Sequence, residues 1–363
     1  MRFTPYLGIV VGLMLGVLFG TFLGGTSVVV PDASSTFSLL TPLPEPTTST
    51  TSTSSGQASS PQATETVVPP APSTPAPAPI VSLPPPKSVS LDVSASVLRA
   101  ALVNIICQAP AGSKLRSMSG SGVIVDPKGV ILTNAHIAQY FLLKDRGVSC
   151  SIRSGSPAVD RYDAKLAYIS PLWLRKNPEV LTKTAPSGNG EYDFAFLAIS
   201  QSATSEPLPA VFPFVPLATV PPFPGAPVVI ASYGAQFLAP GQIASGLSPT
   251  IVFGSVKDVL TFKSNTIDVL ALGGSAAAQE GSSGGGLVDP SGDLVGTITT
   301  STITGTTDTR SLNAITASYI RAEYASETGE ALDLLLAKPV ADAISDFASQ
   351  IPALEAIITA HLP

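Results

Sequence analysis

Gly129-Val130-Ile131-Leu132-Thr133-Asn134-Ala135-His136 is a short β-branched run that ends on one of only two histidines in a chain of 363 residues. It leaves Asp126-Pro127-Lys128-Gly129, where proline at the second position fixes φ and glycine at the fourth relieves the exit, a type I turn signature. Ahead of that turn, Leu102-Val103-Asn104-Ile105-Ile106-Cys107 and Gly122-Val123-Ile124-Val125-Asp126 read as further short strands, and Ser94 to Ala101 as a short helix. The same turn device returns at Val288-Asp289-Pro290-Ser291-Gly292, again between apolar runs. Two similar all-β halves are therefore expected, and a double β-barrel reads this way.

The histidine carries the chemistry. A serine hydroxyl is a poor nucleophile at neutral pH unless a nearby imidazole takes its proton. His361 lies at the extreme C-terminal end, so His136 is the one internal candidate base. Far downstream stands Gly281-Ser282-Ser283-Gly284-Gly285-Gly286. A flexible Gly/Ser loop is the bland alternative, but these glycines lead into the strand pattern Leu287-Val288 rather than a linker. A phosphate cradle is excluded, because no Gly-Lys-Ser/Thr follows. Between the two stretches, Asp193 precedes Phe194-Ala195-Phe196-Leu197-Ala198-Ile199, a strand that would carry its carboxylate into the interior. Asp145, Asp160, Asp163, Asp258 and Asp268 lack that setting.

Composition bounds the rest. A formal net charge of −6 and no Lys/Arg block argue against nucleic acid, since phosphate binding needs clustered positive charge. Two cysteines and two histidines do not make a zinc site of the usual kind, so neither a metal nor another cofactor is implied. Tyr6 to Val30 is an uncharged, apolar stretch, long enough to cross the ~30 Å hydrocarbon layer as a helix. Arg2 on its near side puts the N-terminus in the cytoplasm and the rest outside. A cleaved signal peptide is the competing reading, although its apolar core usually spans only ~7–15 residues. Gly8, Gly12, Gly16, Gly20 and Gly24 share one helix face, which permits self-association in the membrane. The alternative there is that glycine is simply common in membrane helices.

Residues 31–90 are Pro, Ser, Thr and Ala with few charges, including Thr47-Thr48-Ser49-Thr50-Thr51-Ser52-Thr53-Ser54-Ser55. Such a segment buries too little apolar surface to fold and reads as a disordered stalk, reaching roughly 190 Å if fully extended. The layout is thus a cytoplasmic N-terminus and anchor over 1–30, the stalk over 31–90, a folded domain over 91–325, and a helical extension over 326–363. In that extension Pro339 opens one helix, with Val340, Ile344, Phe347 and Ile351 as its apolar stripe, and Pro352 opens another.

From about Ser94 to Tyr324 the chain resembles the trypsin-like serine proteases, closest to the HtrA/Deg branch of bacterial envelope proteases. Four stretches carry the resemblance in order: Ser119-Gly120-Ser121-Gly122-Val123-Ile124-Val125-Asp126, then Gly129 to His136, then Tyr192-Asp193-Phe194-Ala195-Phe196-Leu197-Ala198, then Gly281-Ser282-Ser283-Gly284-Gly285-Gly286-Leu287-Val288. It implies two six-stranded antiparallel barrels with the active site between them. The order histidine, aspartate, serine is the trypsin-like one, unlike that of α/β-hydrolases or subtilisins.

By resemblance His136 is general base and acid, Asp193 orients it, and Ser283 rather than Ser282 is the nucleophile, with glycine two residues before it and two glycines directly after. The amides of Gly281 and Ser283 would form the oxyanion hole. Ala277, six residues before the nucleophile, and Ala278 would line the substrate pocket and favour small or medium apolar residues before the cut. Thr299 aligns with the residue behind the catalytic aspartate.

Two features depart from the family. About 39 residues follow Tyr324, below the ~50 of a usual domain, so no PDZ domain is expected. The cysteines map to no family feature; outside the cytoplasm Cys107 and Cys150 form either a disulfide or two buried thiols. The expected activity is that of a membrane-tethered extracytoplasmic serine endopeptidase acting on polypeptides. The rival readings are a non-catalytic barrel serving as a polypeptide-binding adaptor, and a latent enzyme.

Overall fold

The computed structural model describes residues 90–183, 188–302, 305–307 and 309–362. The expected membrane helix with its glycine face, and the stalk up to residue 89, lie outside the described residues. Among the described residues no helix is long and apolar enough to cross a membrane.

Ser90 accepts a hydrogen bond from the Val93 amide and so caps helix α1 (Leu91–Ala101), which buries Leu98 and Ala101. The chain then alternates short strands and turns: β1 (Leu102–Gln108), β2 (Met118–Asp126), β3 (Val130–Thr133), the one-turn helix α2 (Ala135–Ala138), β4 (Ser149–Gly155), β5 (Ala158–Ile169), helix α3 (Pro171–Lys176) and β6 (Ala195–Ser202). These six strands close an antiparallel barrel in the order β1-β2-β3-β6-β5-β4. Strand β3 is buried along its whole length, as expected of a run with no polar alternation.

The seam that closes the barrel is β1 against β4, and there Cys107 stands directly opposite Cys150. The two are joined as a disulfide. It cross-links residues 43 apart in sequence.

The second half holds β7 (Pro227–Ser232), helix α4 (Pro240–Gly246), β8 (Thr250–Ser255), β9 (Asp258–Leu260), β10 (Val269–Gly273), β11 (Gly286–Val288), β12 (Leu294–Thr302) and β13 (Ser311–Thr316). It differs from the expected second six-stranded barrel. The strands form one seven-stranded sheet, ordered β8-β7-β11-β12-β13-β10-β9. The end strands explain the difference. Strand β9 has three residues, too few to offer β8 a continuous row of donors and acceptors along a closing seam.

Both proline turns are present with the same local bonds. Gly129 N–H donates to Asp126 O, and Gly292 N–H donates to Asp289 O. In each turn the aspartate side chain also accepts the amide two residues on.

Four helices follow: α5 (Ala317–Thr328), α6 (Leu332–Ala337), α7 (Val340–Ala348) and α8 (Ile351–Thr359). Helix α5 runs across the boundary expected at residue 325, and α6 has no counterpart in the sequence reading. Pro339 and Pro352 stand at helix starts. The helices leave the second sheet and return to the first barrel, where Tyr168 stacks edge-on against Tyr324 at 4.8 Å and meets Phe347 at 6.0 Å. Beneath them Glu327 accepts from the Ser170 hydroxyl and the Leu172 amide.

Removing the seam disulfide by the double change Cys107→Ala and Cys150→Ala is expected to lower stability by about 3–4 kcal/mol, because a loop of this length is freed in the unfolded chain. A lower urea midpoint, with a slope that rises as the unfolded chain expands, is the readout. Burial pushes the Glu327 carboxyl above its ordinary value. A raised folded pKa means the protonated form is favoured by folding, so that stability is present below the carboxylate range and is lost as pH rises through the folded pKa. The melting temperature of Glu327→Gln relative to the parent should therefore become more favourable between about pH 4 and pH 7.

Candidate active site

Strand β3 delivers Thr133 to the barrel end, and Asn134 starts α2 with His136 in its first turn. Opposite, Asp193 sits just before β6 and is 5% exposed. A buried carboxylate accepts only, and losing water is costly unless donors replace it. Here three do. The His136 amide donates to Oδ1 at 2.9 Å, His136 Nδ1 lies 2.7 Å from Oδ2, and Thr299 Oγ1 donates to Oδ2 at 2.8 Å. Asn134 Nδ2 holds the backbone carbonyl of Asp193 at 2.9 Å.

With the carboxylate on Nδ1, that nitrogen carries the proton and Nε2 presents its lone pair outward. The His136 side chain is 29% exposed. The residue before the aspartate, Tyr192, takes φ of 60°. That strained position is held by its amide donating to the Tyr319 hydroxyl. Burial pushes the Tyr319 phenol up, so it stays protonated.

The rival aspartates do not reach the imidazole. Asp268 accepts from the Phe262 amide and two threonines, and Asp160 pairs with Arg153. His361 is at the surface, 3.9 Å from Glu179.

Ser283 lies between two left-handed glycines, Gly281 at φ 87° and Gly284 at φ 82°. Neither tolerates a side chain, since a Cβ on Gly281 would stand 2.7 Å from the Tyr233 carbonyl oxygen, and one on Gly284 would overlap that of Ser121. The loop's amides alternate in use. Ser282 N–H donates to Gln279 O, Gly284 N–H to Ile298 O and Gly285 N–H to Ser282 O. Among the described residues the amides of Gly281 and Ser283 donate to nothing.

All four carbonyls across this loop are held. Glu280 O accepts from Ala235 N–H at 2.7 Å, Ser282 O from Gly285 N–H at 2.9 Å, and Ser283 O from Ser121 N–H at 2.8 Å. Gly281 O accepts from the Ser121 hydroxyl at 2.8 Å. In a trans peptide the N–H points opposite the C=O. Holding the carbonyls of Glu280 and Ser282 therefore turns the Gly281 and Ser283 amides away from the Ala235 and Gly285 amides that hold them.

Among the described residues no hydrogen bond joins the Ser283 hydroxyl to the His136 ring. Catalytic hydrogen bonds of this kind commonly tighten only once substrate is bound. Ala277 and Ala278 are wholly buried. Arg310 donates to the Ala278 carbonyl at 3.0 Å and lies over the Phe237 ring. Sequence reasoning missed Ala235 and Arg310, which no motif marks, and used Ser121 only as part of a resemblance. Among the described residues no three His, Cys, Asp or Glu side chains gather as metal ligands.

Residues 120–296 match the family described as "Trypsin-like peptidase domain". The chain carries a trypsin-like serine peptidase domain. Its enzyme class is accordingly that of the serine endopeptidases, which are hydrolases. The peptidase domain is also similar to solved structures of the Rv3671c protease from M. tuberculosis. The active form shares 19% identity over 69% of this chain and 93% of that one, with a TM-score of 0.41. An inactive form from strain H37Rv, with its serine changed to alanine, shares 17% over 69% and 98%, with a TM-score of 0.40. Identity and superposition at that level assign no role to any residue here. Comparison with curated protein sequences found no match.

Gly284→Ala is expected to cost the peptidase domain about 3 kcal/mol or more, since it combines a left-handed backbone with overlap on Ser121. Thermal unfolding of the variant measures it, with Gly292→Ala, at an open turn, as the milder comparison.

Proposed function

We propose that this chain is a membrane-anchored, extracytoplasmic serine endopeptidase of the HtrA/Deg branch that cuts polypeptides through an acyl-enzyme. His136 Nε2 takes the proton of Ser283 as its oxygen attacks the scissile carbonyl carbon. The amides of Gly281 and Ser283 receive the negative oxygen of the tetrahedral intermediate. Asp193 keeps the proton on Nδ1 and stabilises the imidazolium, which then protonates the leaving amine. Water attacks the acyl-enzyme by the same route, with His136 again as base.

The observation that carries the reading is the pair of unclaimed amides on either side of Ser282. A loop that only bound or linked would satisfy them internally. The two alanines favour a small or medium apolar residue before the cut. A second reading, a latent enzyme whose pocket opens on a trigger, is favoured by their complete burial. The anchor and the outside placement rest on the N-terminal sequence. Self-association through Gly8, Gly12, Gly16, Gly20 and Gly24 belongs to the same proposal.

A fluorophosphonate probe is expected to label the full-length chain, and Ser283→Ala and His136→Ala to abolish labelling. Asp193→Asn should lower kcat by about 10⁴-fold through the wrong imidazole tautomer. An unlabelled but folded parent would leave a polypeptide-binding adaptor or a latent enzyme. Labelling that survives Ser283→Ala would refute the assignment of the nucleophile.

A further inference from the structure

The geometry points to Ser121 as the positioning residue of the oxyanion hole, holding the nucleophile loop of the second sheet against the first barrel. This inference rests on the peptidase reading of Ser283. Ser121 lies in β2, is 0% exposed, and has all of its polar groups engaged. Its amide donates to Ser283 O, and its hydroxyl donates to Gly281 O at 2.8 Å. The same hydroxyl accepts the Tyr233 amide at 2.8 Å, and its carbonyl accepts the Thr133 hydroxyl at 2.7 Å.

These bonds divide the work along the loop. Gly281 N–H and Ser283 N–H belong to the peptides 280–281 and 282–283. Ser121 holds the two peptides that alternate with them, 281–282 and 283–284. The remaining hold on the Gly281 amide comes from Ala235 N–H to Glu280 O, and Ala235 lies two residues beyond the Tyr233 amide that Ser121 fixes. One hydroxyl thus holds the 281–282 peptide directly and, through Tyr233, the segment whose Ala235 amide holds the 280–281 peptide. Through Thr133, three residues before His136, Ser121 also connects that loop to the base. No other side chain of the first barrel hydrogen-bonds to the 280–285 carbonyls among the described residues.

A hydroxyl is needed because the site demands a donor and an acceptor at one atom. Alanine would leave the Gly281 carbonyl and the buried Tyr233 amide without partners, which loosens the Tyr233–Ala235 segment whose Ala235 amide holds the Glu280 carbonyl. With the Glu280 carbonyl less firmly held, the 280–281 peptide and with it the Gly281 amide can turn, while His136 and Asp193 stay in place.

The test is Ser121→Ala in the full-length chain, with Ser121→Cys as a second variant whose weaker donor fills nearly the same volume. Hydrolysis of an alanyl thiobenzyl ester gives kcat and KM, and a peptide boronic acid ending in boro-alanine, which becomes tetrahedral on the serine, gives an affinity for the transition-state geometry. Direct loss of an oxyanion donor costs ~10²–10³ in kcat, so the indirect loss here should be about 10- to 100-fold. KM should change by less than about 3-fold, as expected when an interaction made only in the transition state is lost. Boronate affinity should fall by the same factor as kcat, with Ser121→Cys intermediate in both. Ser232→Ala, which removes a buried hydroxyl bonded to Ser282 Oγ but to no loop carbonyl, is the control for stability loss alone. A folded Ser121→Ala with kcat and boronate affinity like the parent overturns the inference, as does a kcat loss matched by Ser232→Ala. A parent inert to ester, boronate and fluorophosphonate overturns the peptidase reading itself, and this inference with it.

Discussion

The buried carboxylate of Asp193 is the constraint on which the rest of the site depends. An acceptor-only group at 5% exposure is tolerable only where donors replace water, and those donors come from different parts of the fold. The backbone and ring of His136 arrive from the end of β3, and the Thr299 hydroxyl arrives from β12 in the second half. Satisfying the carboxylate therefore requires barrel and sheet to meet at that point. The two bonds to His136 differ in function: the amide bond fixes where the helix turn begins, and the Nδ1 bond fixes the ring's tautomer.

The loop of Gly281 to Gly286 solves a different problem. Among the described residues the amides of Gly281 and Ser283, on either side of Ser282, have no protein partner, in a region where most amides have one. Left-handed glycines flank the Ser282-Ser283 pair, and the Glu280 and Ser282 carbonyls, which share peptides with those two amides, are each tied down.

The strong local signals were legible in the sequence. Proline and glycine at fixed offsets foretold both turns, because φ restrictions act within four residues. The interior setting of Asp193 and the tight Gly281–Gly285 loop were legible because each was flanked by strand patterning. What distance in sequence separates was less visible. The second half was read as a barrel, yet whether a sheet closes depends on the length and pairing of its end strands, and β9 is only three residues long. Ser121 looked like one more small residue in a strand; its importance depends on neighbours 112 and 160 positions away. The pairing of Cys107 with Cys150 likewise became definite only when β1 and β4 were placed side by side.

The C-terminal helices complete a mechanical loop. The chain passes from the first barrel to the second sheet by residues 203–226, and α5 to α8 then bring it back to the outside of the first barrel. Tyr168, Phe196, Tyr324 and Phe347 form the aromatic contact that fastens the return. The first of these helices begins directly after β13 and supplies the Tyr319 hydroxyl that accepts the amide of Tyr192, next to Asp193. The extension is thus mechanically continuous with the carboxylate. A disturbance of the helices would reach the imidazole through Tyr192, whereas a disturbance of the nucleophile loop would reach it through Ser121 and Thr133.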